Sequence, residues 1–208
     1  MGTETPGSEL AALLHRLDHA VATCDCEATT CQAVKDILED VVDRQAQFLT
    51  PAQLAPQPDT YARNLVHRDP DGRYSVIAMV WSPGQGTLIH EHGGLWVVEC
   101  VVRGRVQVRA FELKGGVDDA VVQFEESMRV VAGCGEAGSL IPPQDHHIIE
   151  NPFDRVAVTL HVYGGDLDQC DVFLPNDDGT YQYGVGVLVA GGQCGFQCGH
   201  CALRTQST

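Results

Sequence analysis

The chain has 208 residues, 44% of them hydrophobic, and a formal charge of −15 from 13 basic and 28 acidic side chains. That acidity excludes nucleic acid and anionic membrane surfaces as partners, because both need a concentrated positive field. The length and apolar content fit one globular domain with a sizeable core and leave no room for a second large one.

From Ser8 to about Phe48 the pattern is helical. Leu10, Leu13, Leu14 and Leu17 recur at three- and four-residue steps, and Val34, Ile37, Leu38, Val41 and Val42 repeat the pattern, with Cys24–Cys31 read as the connector. Three prolines in Pro51–Pro58 mark a change of regime. From Tyr61 onward the chain becomes short β-rich runs between Gly, Pro and Asp turns: Arg63–His67, Tyr74–Trp81, Trp96–Val102, Arg105–Glu112, Ala120–Phe124, Met128–Val131, Val156–Tyr163 and Tyr181–Val189. The expected organisation is a helical cap over residues 1–58, a mainly β sandwich or small barrel over 59–190, and a Gly/Cys-rich tail over 191–208. No apolar stretch approaches the roughly 20 residues that span a bilayer. Met1–Pro6 also lacks the regions of a signal peptide, so a soluble cytoplasmic protein is expected. The nine cysteines are scattered or bunched near the two ends and read as free thiols rather than a disulfide framework.

The chemistry concentrates at His90 and His92. Residues two apart on a strand face one side, so both imidazoles can reach one metal ion while Glu91 points away. Gly84 precedes the pair, and Gly104 follows it in what reads as a strand-turn-strand hairpin through Val102-Arg103-Gly104-Arg105. A second cluster places His147 three intervening residues before Asn151. The two stretches resemble the two motifs of the cupin superfamily, a double-stranded β-helix or jelly-roll barrel with one interior metal.

Where most metal cupins carry a glutamate, this chain has Val97, which leaves His90, His92 and His147 as the ligand set. Glu99, on the same strand face as Val97, offers a shifted acidic ligand and is the lesser choice. His147 is preferred to His146 because it keeps the spacing to Asn151, and adjacent strand residues cannot both face inward; His146 is expected to face solvent or a neighbouring loop. Three neutral imidazoles suit iron with an open coordination face, and equally suit tetrahedral zinc with a water.

The run Tyr61-Ala62-Arg63-Asn64-Leu65-Val66, the strand ending in Trp81, the His90/His92 pair, His147 with Asn151, and Thr159-Leu160-His161-Val162-Tyr163 together resemble cysteine dioxygenase of the thiol dioxygenase family. The resemblance implies ferrous iron, Fe(2+), on His90, His92 and His147, with L-cysteine and O2 as partners and cysteine sulfinic acid as product. It implies Arg63 as the clamp for the substrate carboxylate, with Tyr61 beside it. It also implies Thr159, His161 and Tyr163 as a hydroxyl-His-Tyr relay, with Thr159 where the family has serine. Relatives that prefer 3-mercaptopropionate have glutamine at the place of Arg63, so cysteine is favoured. A 3-mercaptopropionate or other small-thiol dioxygenase, or a zinc or non-catalytic cupin serving as a binding module, is the alternative. Animal members join the tyrosine to a cysteine through a thioether; that place is Val97 here, so no such cross-link is expected. A monomer is expected. Cys194, Cys198, Cys201 and His200 have zinc-like spacing, but a redox-sensitive tail is the preferred reading.

Overall fold

The computed structural model describes residues 6–45, 47–116, 120–143, 145–188 and the backbone of 195–197. The tail cysteines Cys194, Cys198 and Cys201, with His200, lie outside the described residues. Two helices, α1 (Pro6–Thr23) and α2 (Glu27–Asp43), precede twelve strands among the described residues. The connector between the helices is shorter than the pattern suggested: α2 already begins at Glu27, where the Thr29 and Thr30 hydroxyls bond back to the Cys26 carbonyl at 2.9 and 3.0 Å.

One sheet has the order β1 (Ala62–Arg68), β2 (Ser75–Trp81), β9 (Ala157–Tyr163), β4 (Val97–Arg103), β7 (Ala137–Leu140). The other runs β10 (Gln169–Pro175), β3 (Ile89–His90), β8 (His147–Glu150), β5 (Arg105–Gly116), β6 (Val121–Gly133), β11 (Tyr181–Val187), β12 (Gly195–Gln197), with β10 also paired to β11. Each of these pairings is antiparallel. This is the cupin double-stranded β-helix, mainly β with helices on its N-terminal side.

Both faces of the first sheet are covered, so β2 and β9 are buried along their whole length. Alternation then sorts each strand into two sets. Val76 and Ala78 on β2, Val98 and Cys100 on β4, and Leu160 and Val162 on β9 meet Leu13, Leu17, Val34, Leu38 and Val41 of the helices. Burial of each such aliphatic side chain contributes about 1.5–3 kcal/mol. The residues between them point into the barrel: Ile77, Met79 and Trp81; Val97 and Val101; Tyr163. Two apparent strands, Ala120–Phe124 and Met128–Val131, are one strand, β6, with a register shift opposite Ala110/Phe111. Nor does Gly104 close a hairpin. β4 and β5 belong to different sheets, and Gly104 turns the corner at φ +77°, where a Cβ would meet the Val156 carbonyl oxygen at 3.0 Å.

The turn from β1 to β2 ties the helices to the barrel. Buried Asp69 accepts from Arg73 Nε at 2.9 Å and Nη2 at 2.7 Å, and the same Nη2 reaches Asp18 on α1 at 2.8 Å. The Arg73 bonds hold the Asp69 carboxyl well below the usual carboxylate range. A depressed folded value means that the contribution is complete above the unfolded pKa, ~4, and is lost as pH falls through the folded one. Asp69→Asn is therefore expected to lower the thermal midpoint at pH 7, with the deficit shrinking as pH drops below about 4. Thermal scans of both proteins between pH 7 and 3 check this, and a deficit independent of pH would assign Asp69 a purely steric role.

Candidate metal centre

His90 ends β3 and His147 begins β8, and the two are register partners, which places their rings side by side. His92 lies past the end of β3, in a turn that Gly93 and Gly94 make at φ +62° and +76°. Two successive positive φ values are cheap only for glycine, and they close a turn in which the Leu95 amide donates to the His92 carbonyl at 3.0 Å. Glu91 points away, as its place between the two histidines requires. Its carboxylate accepts from the amides of Asp171 at 2.7 Å and Gly94 at 3.2 Å, clamping the turn to β10. Buried Asn151 fixes the other side, donating to the carbonyls of Trp81 at 2.9 Å and Arg155 at 2.8 Å; the spacing from His147 to Asn151 is that of a strand and its corner.

The three imidazoles converge. One nitrogen from each of His90, His92 and His147 falls within 4.8 Å of the others, and the Nε2 atoms of His90 and His147 are 3.1 Å apart. Both nitrogens of His92 and Nδ1 of His147 are buried without hydrogen-bond partners among the described residues. Burial pushes His90 down to about 4 and His147 well below the ordinary histidine value. The His90 and His147 rings are then neutral near pH 7, and the unpartnered nitrogens of the cluster form an arrangement that a cation relieves. The donor set fits a divalent metal that accepts imidazole. Asp145 stands behind His92, its carboxylate 3.7 Å from Nδ1 and 3.3 Å from the His92 amide nitrogen, a positioning contact that sequence reasoning missed.

A cavity of about 280 Å³ opens on this cluster, lined among others by Tyr61, Arg63, His90, His92, His161 and Tyr163. Arg63, 5% exposed, faces into it from β1. Its Nη2 donates to the Leu167 carbonyl at 3.1 Å, its Nε is buried without a partner among the described residues, and its guanidinium carbon is 6.0 Å from the centre of the Tyr163 ring. Tyr61 stacks on Trp81 at 4.6 Å between centroids.

Thr159, His161 and Tyr163 share the inward face of β9. Thr159 Oγ1 is 2.7 Å from His161 Nε2 and accepts from Trp81 Nε1 at 2.9 Å. At its other nitrogen, His161 is nearer to Glu99 than to tyrosine: Nδ1 is 3.0 Å from Glu99 Oε1 and 3.5 Å from the Tyr163 hydroxyl. Val97 is the register partner of Tyr163, so the side chain opposite the tyrosine has no sulfur. Cys100 faces the helices, on the other side of β4. His146 is half-buried, its ring 5.1 Å from Phe124 and 5.5 Å from Phe173.

The family described as cysteine dioxygenase type I matches residues 6–175. Among solved structures, a protein from Thermus thermophilus is similar at 22% identity over 56% of this chain and 95% of that one, with a TM-score of 0.43. A double-stranded β-helix protein from Klebsiella pneumoniae is similar at 15% identity over 56% and 87% of the two chains, with a TM-score of 0.42. A Cupin 2 conserved barrel domain protein from Salinispora arenicola is similar at 19% identity over 55% and 83%, with a TM-score of 0.39.

Proposed function

We propose that this chain, which belongs to the cysteine dioxygenase type I family of the cupin superfamily, oxidises L-cysteine with O2 to cysteine sulfinic acid. Ferrous iron held by His90, His92 and His147 would supply a meeting place for thiolate and O2 and the redox capacity to move both oxygen atoms onto sulfur. The protein's part is binding and orientation. Arg63 carries the substrate reading: a buried guanidinium with an unpartnered Nε, in the same cavity as His90 and His92, is a planar donor set for a carboxylate that lysine could not reproduce. In so acidic a protein, such a cation facing a cavity has a ligand-sized purpose. Tyr61, held by its stack on Trp81, walls the same end.

Tyr163 places its phenol between Arg63 and the histidines, and His161, steadied by Thr159, sets the hydrogen-bonding character of that wall. The cavity volume suits a small amino acid. Tight walls matter because geometry must impose the selectivity that iron and O2 lack.

The test is anaerobic iron loading followed by oxygen uptake with L-cysteine, 3-mercaptopropionate and cysteamine in parallel. Uptake with L-cysteine, in a 1:1 ratio of O2 to sulfinic acid, is the expected result; no uptake with any thiol would overturn the assignment. Arg63→Gln is expected to raise KM for cysteine about tenfold or more, since a charged bidentate partner is lost, while iron content stays unchanged. Iron loss in that variant would make Arg63 a structural residue.

A further inference from the structure

A lone charge in the apolar strand Val97-Val98-Glu99-Cys100-Val101 sits on the inward face and lines the metal-facing cavity. Glu99 is 9% exposed, and its Oε1 lies 3.0 Å from His161 Nδ1 and 3.7 Å from His147 Nε2. A carboxylate in such a place costs desolvation, and an aliphatic side chain would fill the same space without that cost. It lines the same cavity as Arg63. The two come from strands at opposite sides of β2 and β9, with Tyr163 and His161 between them: the Arg63 guanidinium is 6.0 Å from the Tyr163 ring, and the Tyr163 and His161 rings stack at 6.0 Å. The cavity thus has a cationic end and an anionic end, with the histidine cluster beside the anionic one.

We propose that Glu99 binds the nitrogen of the substrate, making the cavity selective for thiols that carry an amine over thiols that carry only an acid. This rests on reading the site as a thiol oxygenase and adds a second selector to Arg63. An ammonium or amine donates N–H to the Glu99 carboxylate, whether or not the same nitrogen also approaches the metal. A thiol with a carboxylate and no nitrogen offers nothing to Glu99 and brings like charge into a poorly solvated cavity. L-cysteine offers Glu99 a nitrogen, whereas 3-mercaptopropionate has none to offer.

The experiment uses the full chain loaded anaerobically with cobalt(II), which reports thiolate binding as a charge-transfer band without turnover. The wild type is expected to bind L-cysteine at least tenfold more tightly than 3-mercaptopropionate, and cysteamine at least tenfold more tightly than 2-mercaptoethanol, in which a hydroxyl replaces the amine. Glu99→Gln should lower both ratios by tenfold or more. Unchanged ratios in that variant overturn the proposal, as does loss of cobalt from a folded Glu99→Gln protein, which would assign the carboxylate to the metal. If the variant does not fold, the wild-type pair of cysteamine and 2-mercaptoethanol decides: equal affinity overturns the proposal. The absence of a thiolate band with any thiol would instead defeat the thiol oxygenase reading itself, so the two failures are separable.

Discussion

Stripping metal from the protein is expected to lower its thermal midpoint by about 5–10 °C, and restoring iron(II) anaerobically, or zinc, should recover it. The cause lies in the unpaired nitrogens. Both nitrogens of His92 and Nδ1 of His147 are buried with no partner among the described residues. Each unsatisfied buried group costs about 1–3 kcal/mol. An ion that binds only the folded state adds about 2.7 kcal/mol at a hundred times its Kd, and in a chain of this size each kcal/mol moves the midpoint by roughly 2–4 °C. Differential scanning calorimetry with and without chelator measures it. His147→Ala should abolish the metal-dependent increment and reduce metal content to background. An increment retained in His147→Ala would place the ion elsewhere.

The histidines were legible because their signal is local: two residues on one short strand and its end, and a third on the strand paired to it. The common face of Thr159, His161 and Tyr163 on β9 was legible for the same reason, since the three alternate and the period of a strand is two. What β9 does not reveal is its neighbours. Glu99 reaches His161 because β4 and β9 pair Glu99 with His161 in register, a pairing between residues 62 positions apart. Asp145 behind His92, and Trp81 above Thr159, are likewise contacts of topology.

The misread strands have physical causes as well. The interruption Glu125-Glu126-Ser127 looks like a turn between two strands, yet Glu126 pairs with Arg109 on β5 and Arg129 on its own strand, and Glu125 with Lys114. Each charge finds a partner across or along the ladder, so the run continues as one long strand. β7 (Ala137–Leu140) has little intrinsic strand propensity and exists through its ladder with β4. β10 hides behind Asp171 and the preceding Asp-rich turn, although Cys170, Val172 and Phe173 are buried. A hairpin reading of Gly104 failed because a tight glycine corner can send the chain to the opposite sheet as readily as back along its own.

Trp81→Ala is expected to cost about 3–5 kcal/mol, the usual range for emptying a buried aromatic site, and so to lower the thermal midpoint by roughly 6–20 °C. Trp81 is fully buried at the inward end of β2. Two groups of the site hang on its side chain: Tyr61 stacks on its ring at 4.6 Å, and Thr159 takes its indole N–H at 2.9 Å. Trp81→Phe separates packing from polarity. It keeps most of the volume and the Tyr61 stack but removes the donor to Thr159, a loss of about 1 kcal/mol. With no N–H above it, the Thr159 hydroxyl is no longer held against His161 Nε2, so the orientation of His161 between Glu99 and Tyr163 loosens. The expected result is a kcat lower by several-fold with metal content and KM for cysteine nearly unchanged, because the histidine cluster and Arg63 are untouched. Thermal melts, metal analysis and oxygen uptake on the two variants distinguish the cases. If Trp81→Phe matched the wild type in kcat, the Trp81–Thr159 bond would serve the fold alone.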